Sequence, residues 1–357
     1  MPARARKIFL GAVSLVFSLY AWGAGWEQAS PVPAKVRMIK FTANGDLYAS
    51  EDGFEVRRSK DKGKTWEFVP GVGAAAKDDS IGLFVNAKGE LIACRGKSQS
   101  HSGPYGVYRL INNGGSWKVA TFLDTKGEPI NPAGWAACNA APCYATGDLI
   151  VATGSTRVFR SVDGIGDVLK EVENRPFNTG SKTVSWFGWL AVSANPVTKD
   201  LFLGCEKDYA GIWKSTDSGA TWSYLGEPTA GNNKISFNSA GEAFDLTNQR
   251  PGVPLKWTVG TNWTEITGGL RRWLGGWRYT ANDGDNMYMG CMTDTKIPVT
   301  FKSTDNGMNW AELPKFPGSV KNIRELEMGD DGYLYAGTDN GIWKLQAGRA
   351  KKKENSR

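Results

Sequence analysis

The sequence predicts an all-β fold: a single seven-bladed β-propeller of four-stranded antiparallel blades, whose ring is closed by the N-terminal strand. Three observations in its 357 residues lead to this prediction. A motif of the form Ser-x-Asp-x-Gly-x-Thr-Trp recurs between alternating polar and apolar runs, which are typical of strands. A second kind of turn, with Gly or Asp before an apolar strand, recurs seven times, roughly every 40 to 58 residues. The last repeat lacks one strand, and the start of the chain matches the missing piece.

The Ser-x-Asp-x-Gly-x-Thr-Trp motif is expected to form a tight turn between two strands. It stands at Ser59–Trp66, Ser215–Trp222 and Ser303–Trp310, with weaker copies at Asn112–Trp117 and Ser161–Gly166. Its Asp carboxylate can accept nearby backbone N–H groups, and its hydroxyls can close the same turn. Its Gly takes a backbone conformation that other residues reach only with strain, and its Trp begins the next strand.

This motif resembles the Asp box, the repeat of bacterial neuraminidases that also occurs in xyloglucanases and sortilin-like propellers. The resemblance implies a propeller built from these repeats. Asp boxes are structural in those families, which implies that Asp61, Asp217 and Asp305 hold their turns together and take no part in catalysis.

The second kind of turn locates the blades, because each copy precedes an apolar strand. Its seven copies begin at Asn44, Lys88, Thr146, Thr198, Ala240, Asp283 and Asp331.

The first and last repeats predict how the strands are shared out. In the first, the inner strand is Val36–Thr42, and the outer strand begins at Trp66. The last repeat, Asn322–Leu345, has room for three strands only. Gly25-Trp-Glu-Gln matches Thr65-Trp-Glu-Phe, so we expect the N-terminal segment to supply the outer strand of the last blade.

The two ends of the chain predict export. Residues 1–25 carry Arg4, Arg6 and Lys7 before a mostly apolar run, Ile8–Trp26, which reads as a secretory signal or an uncleaved membrane anchor. Residues 26–347 form the propeller, and the basic segment 348–357 is expected to be a disordered tail. The predicted location is therefore periplasmic or secreted, with the anchor as the one route to a membrane.

The formal charge of +7 lies in the two ends, which leaves residues 26–347 neutral. A nucleic-acid-binding domain carries its basic excess in the folded part, so no nucleic acid partner is expected. With one His and no Cys-x-x-Cys pair, neither a metal site nor a cofactor is expected.

The five cysteines fall into two groups. Cys94, Cys205 and Cys291 are interpreted as small core residues at one repeat position. Cys138 and Cys143 could form a disulfide in an oxidising compartment, but an odd spacing along one strand would point them to opposite faces. Both outcomes are left open.

The propeller end opposite the Asp boxes, called the second face, is the predicted ligand-binding surface, because loops on a rigid frame carry function. Trp135, Trp186 and Trp273 lie where inner strands would enter from this face. Exposed indole rings could stack on sugars, and packing between blades is the alternative. The other residues expected to bind ligand there are Arg95, Glu206, Arg271 and Arg272.

The first repeat also resembles the opening of a sialidase. By position, Arg37 would be the arginine that binds the substrate carboxylate, and Asp52 the general acid. The resemblance is incomplete, because no tyrosine stands in Ser319–Met328, where a sialidase would have its nucleophile.

The sequence therefore favours an exported, monomeric, non-catalytic binding protein for a glycan or a protein surface. The alternative is a glycoside hydrolase of the sialidase type, so whether the protein is an enzyme is left open.

Overall fold

The computed structural model describes fourteen segments of the chain. These are residues 25–29, 35–51, 56–71, 80–96, 106–131, 138–153, 157–173, 190–205, 211–226, 234–246, 254–266, 268–270, 274–284 and 286–347. They form thirty strands, numbered β1 to β30 in chain order, and one short 3-10 turn, Asn112–Gly114. None of the helical structure in these segments is long and apolar enough to cross a membrane.

Seven sheets of antiparallel strands form the blades of a seven-bladed propeller, as predicted. The inner strands are β2 (Val36–Phe41), β6 (Ser80–Val85), β12 (Cys138–Pro142), β16 (Leu190–Ala194), β20 (Ile235–Phe237), β24 (Leu274–Asn282) and β28 (Ile323–Met328). The second strands are β3 (Leu47–Glu51), β7 (Leu91–Gly96), β13 (Leu149–Thr153), β17 (Leu201–Cys205), β21 (Ala243–Asp245), β25 (Met287–Thr293) and β29 (Tyr333–Thr338).

The outer half of each blade completes the sheet. The third strands are β4 (Val56–Ser59), β8 (Gly106–Ile111), β14 (Val158–Ser161), β18 (Gly211–Ser215), β22 (Leu255–Val259), β26 (Pro298–Ser303) and β30 (Gly341–Gln346). The outer strands are β5 (Glu67–Val69), β9 (Ser116–Val119), β15 (Val168–Glu171), β19 (Ser223–Tyr224), β23 (Asn262–Glu265), β27 (Ala311–Glu312) and β1 (Glu27–Gln28).

The propeller has two faces that differ in the turns they carry. Turns between inner and second strands lie at the same end as turns between third and outer strands, because each blade is an antiparallel meander. This end holds the Asp boxes and is called the Asp-box face. All seven turns of the second kind lie there too, as the predicted strand order requires. Loops between second and third strands, and loops between blades, lie on the second face.

The N-terminal strand closes the ring, as predicted. β1 pairs antiparallel with β30, and Glu27 lies opposite Lys344 just as Glu67 lies opposite Arg58 in the first blade. The Trp26 ring is buried, stacks on Phe316 at 4.1 Å, and donates from Nε1 to the Pro314 carbonyl oxygen at 2.9 Å. The last blade thus contains strands from both ends of the chain.

The third blade has two strands more than predicted. A hairpin of β10 (Thr121–Leu123) and β11 (Pro129–Ile130) follows the outer strand of the second blade, and β10 pairs parallel with β15. Buried Phe122 on β10 packs edge-on against Phe159, with ring centroids 5.1 Å apart. The longest spacing in the repeat falls here, and it is the sequence signal of this insertion.

Candidate functional site

The Asp boxes form self-contained turns. At Asp217, one carboxylate oxygen accepts from the Thr221 backbone N–H (2.8 Å) and from the Ser215 hydroxyl (2.8 Å). The other accepts from the Thr221 hydroxyl at 2.5 Å. The Ser215 hydroxyl oxygen accepts from the Gly219 N–H, and Trp222 Nε1 donates to the Gly219 carbonyl oxygen.

The other two Asp boxes repeat this geometry. Asp61 is held by Thr65 and Ser59 in the same way, and at Asp305 the amide of Asn309 replaces the Thr hydroxyl. In each box the residue before the Gly also has a positive φ, which the motif did not indicate; these residues are Lys62, Ser218 and Asn306.

Hydrogen bonds within the box keep these acids ionised. Those from the Thr65 side chain and backbone lower the pKa of Asp61 to about 2, and those from Thr221 lower the pKa of Asp217 to about 2. An acid that donates protons near neutral pH needs a raised pKa, so these carboxylates are suited to holding turns.

A cation on the third strand recurs in every blade, and sequence reasoning missed it. In each blade this cation lies directly opposite a large apolar or aromatic residue near the start of the second strand. The seven cations are Arg58, Arg109, Arg160, Lys214, Lys256, Lys302 and Lys344. In the first five blades it pairs with an acid at the preceding turn. The pairs are Arg58 with Asp46, Arg109 with Glu90, Arg160 with Asp148, Lys214 with Asp200, and Lys256 with Glu242.

The sixth blade breaks this pairing in a telling way. Asn286 stands where the first five blades have the acid, and Lys302 donates instead to the carbonyl oxygen of Ala347 at 2.8 Å. In the four blades whose motif begins with Ser, the signal in the sequence is the Arg or Lys directly before that Ser. The Asp-box end of the propeller therefore repeats one cation–acid pairing in five of the seven blades.

The second-face end does not repeat in this way. One position at this end lies on each second strand, three residues beyond the residue opposite the recurring cation. It holds a charged residue in the first two blades and a Thr or Cys in the other four described blades; the residues are Glu51, Arg95, Thr153, Cys205, Cys291 and Thr338. Residues that do the same structural job in every blade would be alike. The charged members, Glu51 and Arg95, belong to the first and second blades and are buried, with exposures of 6% and 2%.

Two further arginines lie at this end of neighbouring inner strands. Arg37 on β2 and Arg324 on β28 are each the extra residue of a β-bulge, since the register shifts between Val36 and Met38 and between Ile323 and Glu325. Both arginine side chains are half-buried. Bulges redirect side chains and are frequent next to functional sites.

These residues define a charged sector on blades seven, one and two, at the second-face end. Glu51 pairs with Arg57 Nε at 2.7 Å across the loop between the second and third strands of the first blade. The charged sector consists of Arg37, Glu51, Arg57, Arg95, Arg324 and Glu325. Among these described residues, four arginines face two glutamates, so the sector has a cationic excess.

Only part of the predicted site falls within the described residues. Arg37 lies on the first inner strand, where the sequence placed it, and Arg95 lies at the predicted end of its blade but with its side chain buried. The remaining predicted site residues lie outside the described residues; they are Asp52, Trp135, Trp186, Glu206, Arg271, Arg272 and Trp273. The described segments contain no group of three His, Cys, Asp or Glu side chains placed to hold a metal ion.

The structure answers one open question about the cysteines and corrects one prediction. Cys143 is a free, buried thiol, so the Cys138–Cys143 disulfide is not formed. Cys138 begins β12 and Cys143 directly follows its last residue. An extended strand rises about 3.3 Å per residue, which separates the two backbone positions by more than a disulfide spans. Cys205 and Cys291 do occupy one repeat position, but Cys94 lies one residue earlier, because Ile92 faces the recurring cation of its blade.

The fold defines a class, the seven-bladed β-propellers. The streptogramin B lyase structure is similar over 90% of this chain and 96% of its own, with a TM-score of 0.61 and 13% identity. The structure of YCF48 from Cyanidioschyzon merolae is similar over 91% of this chain and 99% of its own, with a TM-score of 0.59 and 13% identity. The structure of YCF48 bound to D1 peptide is similar over 91% of this chain and 97% of its own, with a TM-score of 0.60 and 15% identity.

A further similar structure is the extracellular domain of BT4673 from B. thetaiotaomicron. It has a TM-score of 0.60 and 10% identity, and covers 89% of this chain and 42% of that one. No family model and no curated protein matches the chain. At these identities, the similarity establishes the propeller fold alone.

Proposed function

We propose that the protein is an exported binding module without catalytic activity, whose charged sector binds a segment of a partner protein. The observation that carries this proposal is the contrast between the two faces. The Asp-box end repeats one cation–acid pairing in five blades, whereas at the second-face end the charged residues are confined to blades seven, one and two. Glu51 and Arg95 occupy one equivalent position of blades one and two, and Arg37 and Arg324 occupy equivalent bulges of blades one and seven. Buried and half-buried ionisable groups in one place are costly to stability and are typical of functional sites.

The charges of the sector indicate the chemistry of the ligand. The cationic excess of the four arginines favours a segment that carries carboxylates, and Arg binds carboxylates through two parallel hydrogen bonds. One similar structure is a propeller with a peptide bound, which supports a protein ligand over a glycan.

A peptide selection tests this function. The full chain would be panned against a phage-displayed library of random peptides, and the affinity of selected peptides measured by calorimetry. We expect acidic peptides whose binding weakens at least tenfold in the variant Arg37→Ala with Arg324→Ala. Lys88→Ala, which removes an exposed cation from the Asp-box face, is the matched control and should bind normally.

Three results would contradict the proposal: no selected peptide, equal weakening by the control, or binding to a glycan array alone. The last result would move the ligand to the glycan class. Export itself would be checked by fractionating cells that produce the full chain.

A further inference from the structure

Blade one departs from the other six blades at one position of the third strand. In those six blades the residue directly before the recurring cation is aromatic; the residues are Tyr108, Phe159, Trp213, Trp257, Phe301 and Trp343. Four of these rings are at most 8% exposed; they belong to Tyr108, Phe159, Phe301 and Trp343. In blade one the residue is Arg57, whose side chain is 29% exposed. A guanidinium that solvent reaches therefore stands where the repeat has a ring.

Arg57 and its partner Glu51 lie on the side of the first sheet that faces blade seven. Arg57 is directly opposite Ala49, and side chains of directly opposite residues share one face of a sheet. Ala49 belongs to a buried cluster with Tyr335 and Ile342 of blade seven. Glu51 is two residues from Ala49 and shares its face, because side chains alternate along a strand. The ion pair therefore lies where the first blade meets the last.

The fold itself does not require this ion pair. Six blades place an aromatic ring at the position of Arg57, and blades three and seven place Thr at the position of Glu51. Replacing a buried ion pair by well-packed apolar residues is often neutral or stabilising, because desolvation of two charges is costly. Positions that break a structural rule without a gain in stability are typical of functional sites.

An exposed aromatic ring lies beside Arg57. Phe68 on the outer strand β5 is directly opposite Arg57, so both side chains are on the same face, with Cβ atoms about 5 Å apart. The Phe68 side chain is 53% exposed. A guanidinium can hold a carboxylate, and a ring beside it can pack against an apolar or aromatic side chain. The two residues together suit an acidic residue with an aromatic neighbour.

We propose that Arg57 and Phe68 form a subsite of the charged sector, which binds an acidic residue and an adjacent aromatic residue of the partner segment. Glu51 acts as a positioning residue, because its carboxylate lies 2.7 Å from Arg57 Nε. This inference rests on the proposed function, in which the sector binds an acidic segment, and it adds an aromatic residue to the description of that ligand.

Restoring the repeat in blade one tests the role of Arg57. Arg57→Tyr gives blade one the residue of blade two. The melting temperature of the variant and its affinity for the acidic peptides selected against the full chain would be measured. We expect binding at least tenfold weaker than that of the wild type, with the melting temperature unchanged or raised. Unchanged affinity, or a melting temperature clearly below that of the wild type, would overturn the proposal.

Removal of the exposed ring tests the aromatic part of the subsite. Phe68→Ala should weaken the same peptides at least fivefold, and the selected peptides should carry an aromatic residue next to an acidic one. Val119→Ala is the matched control, because Val119 occupies the equivalent position of the outer strand of blade two and is 55% exposed. Equal effects of the two substitutions would contradict a subsite at Phe68.

The outcome also separates this subsite from the proposed function. Peptides that bind less well when Arg37 and Arg324 are replaced, but bind normally to Arg57→Tyr and Phe68→Ala, would overturn the subsite and leave the proposed function intact. The absence of any selected peptide would contradict both.

Discussion

Lys40 and Glu327 occupy equivalent positions on the inner strands of the first and last blades, and Lys40 Nζ lies 2.6 Å from Glu327 Oε2. Lys40 lies opposite Tyr48 and Glu327 opposite Tyr335, which places both at the same height around the axis of the ring. A second carboxylate, Glu325, lies 3.8 Å from the same ammonium group. The ring is thus closed at its inner edge by an ion pair and at its outer edge by β1.

Loss of Lys40 should destabilise the ring. In Lys40→Met, two carboxylates would be left together with little solvent, and removing one partner of a buried pair costs about 3 kcal/mol. The free energy of unfolding would be measured in urea. Lys60→Met is the matched control, because Lys60 pairs with Glu67 in solvent and exposed pairs contribute about 0.5 kcal/mol. A similar loss in both variants would contradict a special role for the inner pair.

The same ion pair makes a prediction for high pH. Burial lowers the pKa of Lys40, but Glu327 and Glu325 raise it by more, so its pKa lies above the ordinary 10.5. A raised pKa means that this stabilisation is fully present below pH 10.5 and is lost above it. Above that pH, the melting temperature of the wild type should therefore fall more steeply with rising pH than the melting temperature of Lys40→Met.

Removal of the closing strand should lower the melting temperature clearly. Deleting residues 26–30 removes the outer strand of the last blade, and the milder Trp26→Ala should cost about 3 kcal/mol, as truncation of a buried aromatic does. Glu27→Ala is the control, because this side chain is half-exposed and its pair with Lys344 spans 3.4 Å. Unchanged melting curves for the deletion would show that the ring does not need this strand.

The Asp boxes should make stability sensitive to acid. The pKa values of Asp61 and Asp217 are lowered to about 2 by hydrogen bonds led by those from Thr65 and Thr221. A lowered pKa gives stability that is present above the ordinary value of 3.8 and is lost as pH falls toward 2. In Asp61→Asn with Asp217→Asn, the melting temperature should fall less between pH 4 and pH 2 than in the wild type. Parallel curves for both proteins would contradict this assignment.

Turnover decides between the binding module and the hydrolase alternative. The full chain would be incubated with fluorogenic glycosides, sialosides included, beside the variant Asp52→Asn. The proposed function predicts that neither the wild type nor Asp52→Asn releases the fluorophore from any of these glycosides. Release by the wild type with a bell-shaped pH profile that is lost in Asp52→Asn would establish a glycoside hydrolase with Asp52 as its acid. Arg37→Ala would then show whether that arginine binds the anionic substrate.

Predictions from the sequence were correct where the interactions are local. The Asp carboxylate of each box bonds to residues two before and four after it, so a short motif contains the whole turn. The match between Gly25-Trp-Glu-Gln and Thr65-Trp-Glu-Phe likewise located the closing strand, because both present a Trp to the core and a Glu to a cation. The spacing of Cys138 and Cys143 left the disulfide open, and only the structure decided it, because Cys143 is a free thiol there.

The sequence by itself determined the number of blades, the turns and the strand that closes the ring, because each depends on a pattern within about ten residues. Only the tertiary structure decided which residues meet across blades. Lys40 and Glu327 are 287 positions apart, and Arg37 and Arg324 are neighbours only because the first blade follows the last around the ring. The charged sector also depends on this closure, because its residues come from blades seven, one and two.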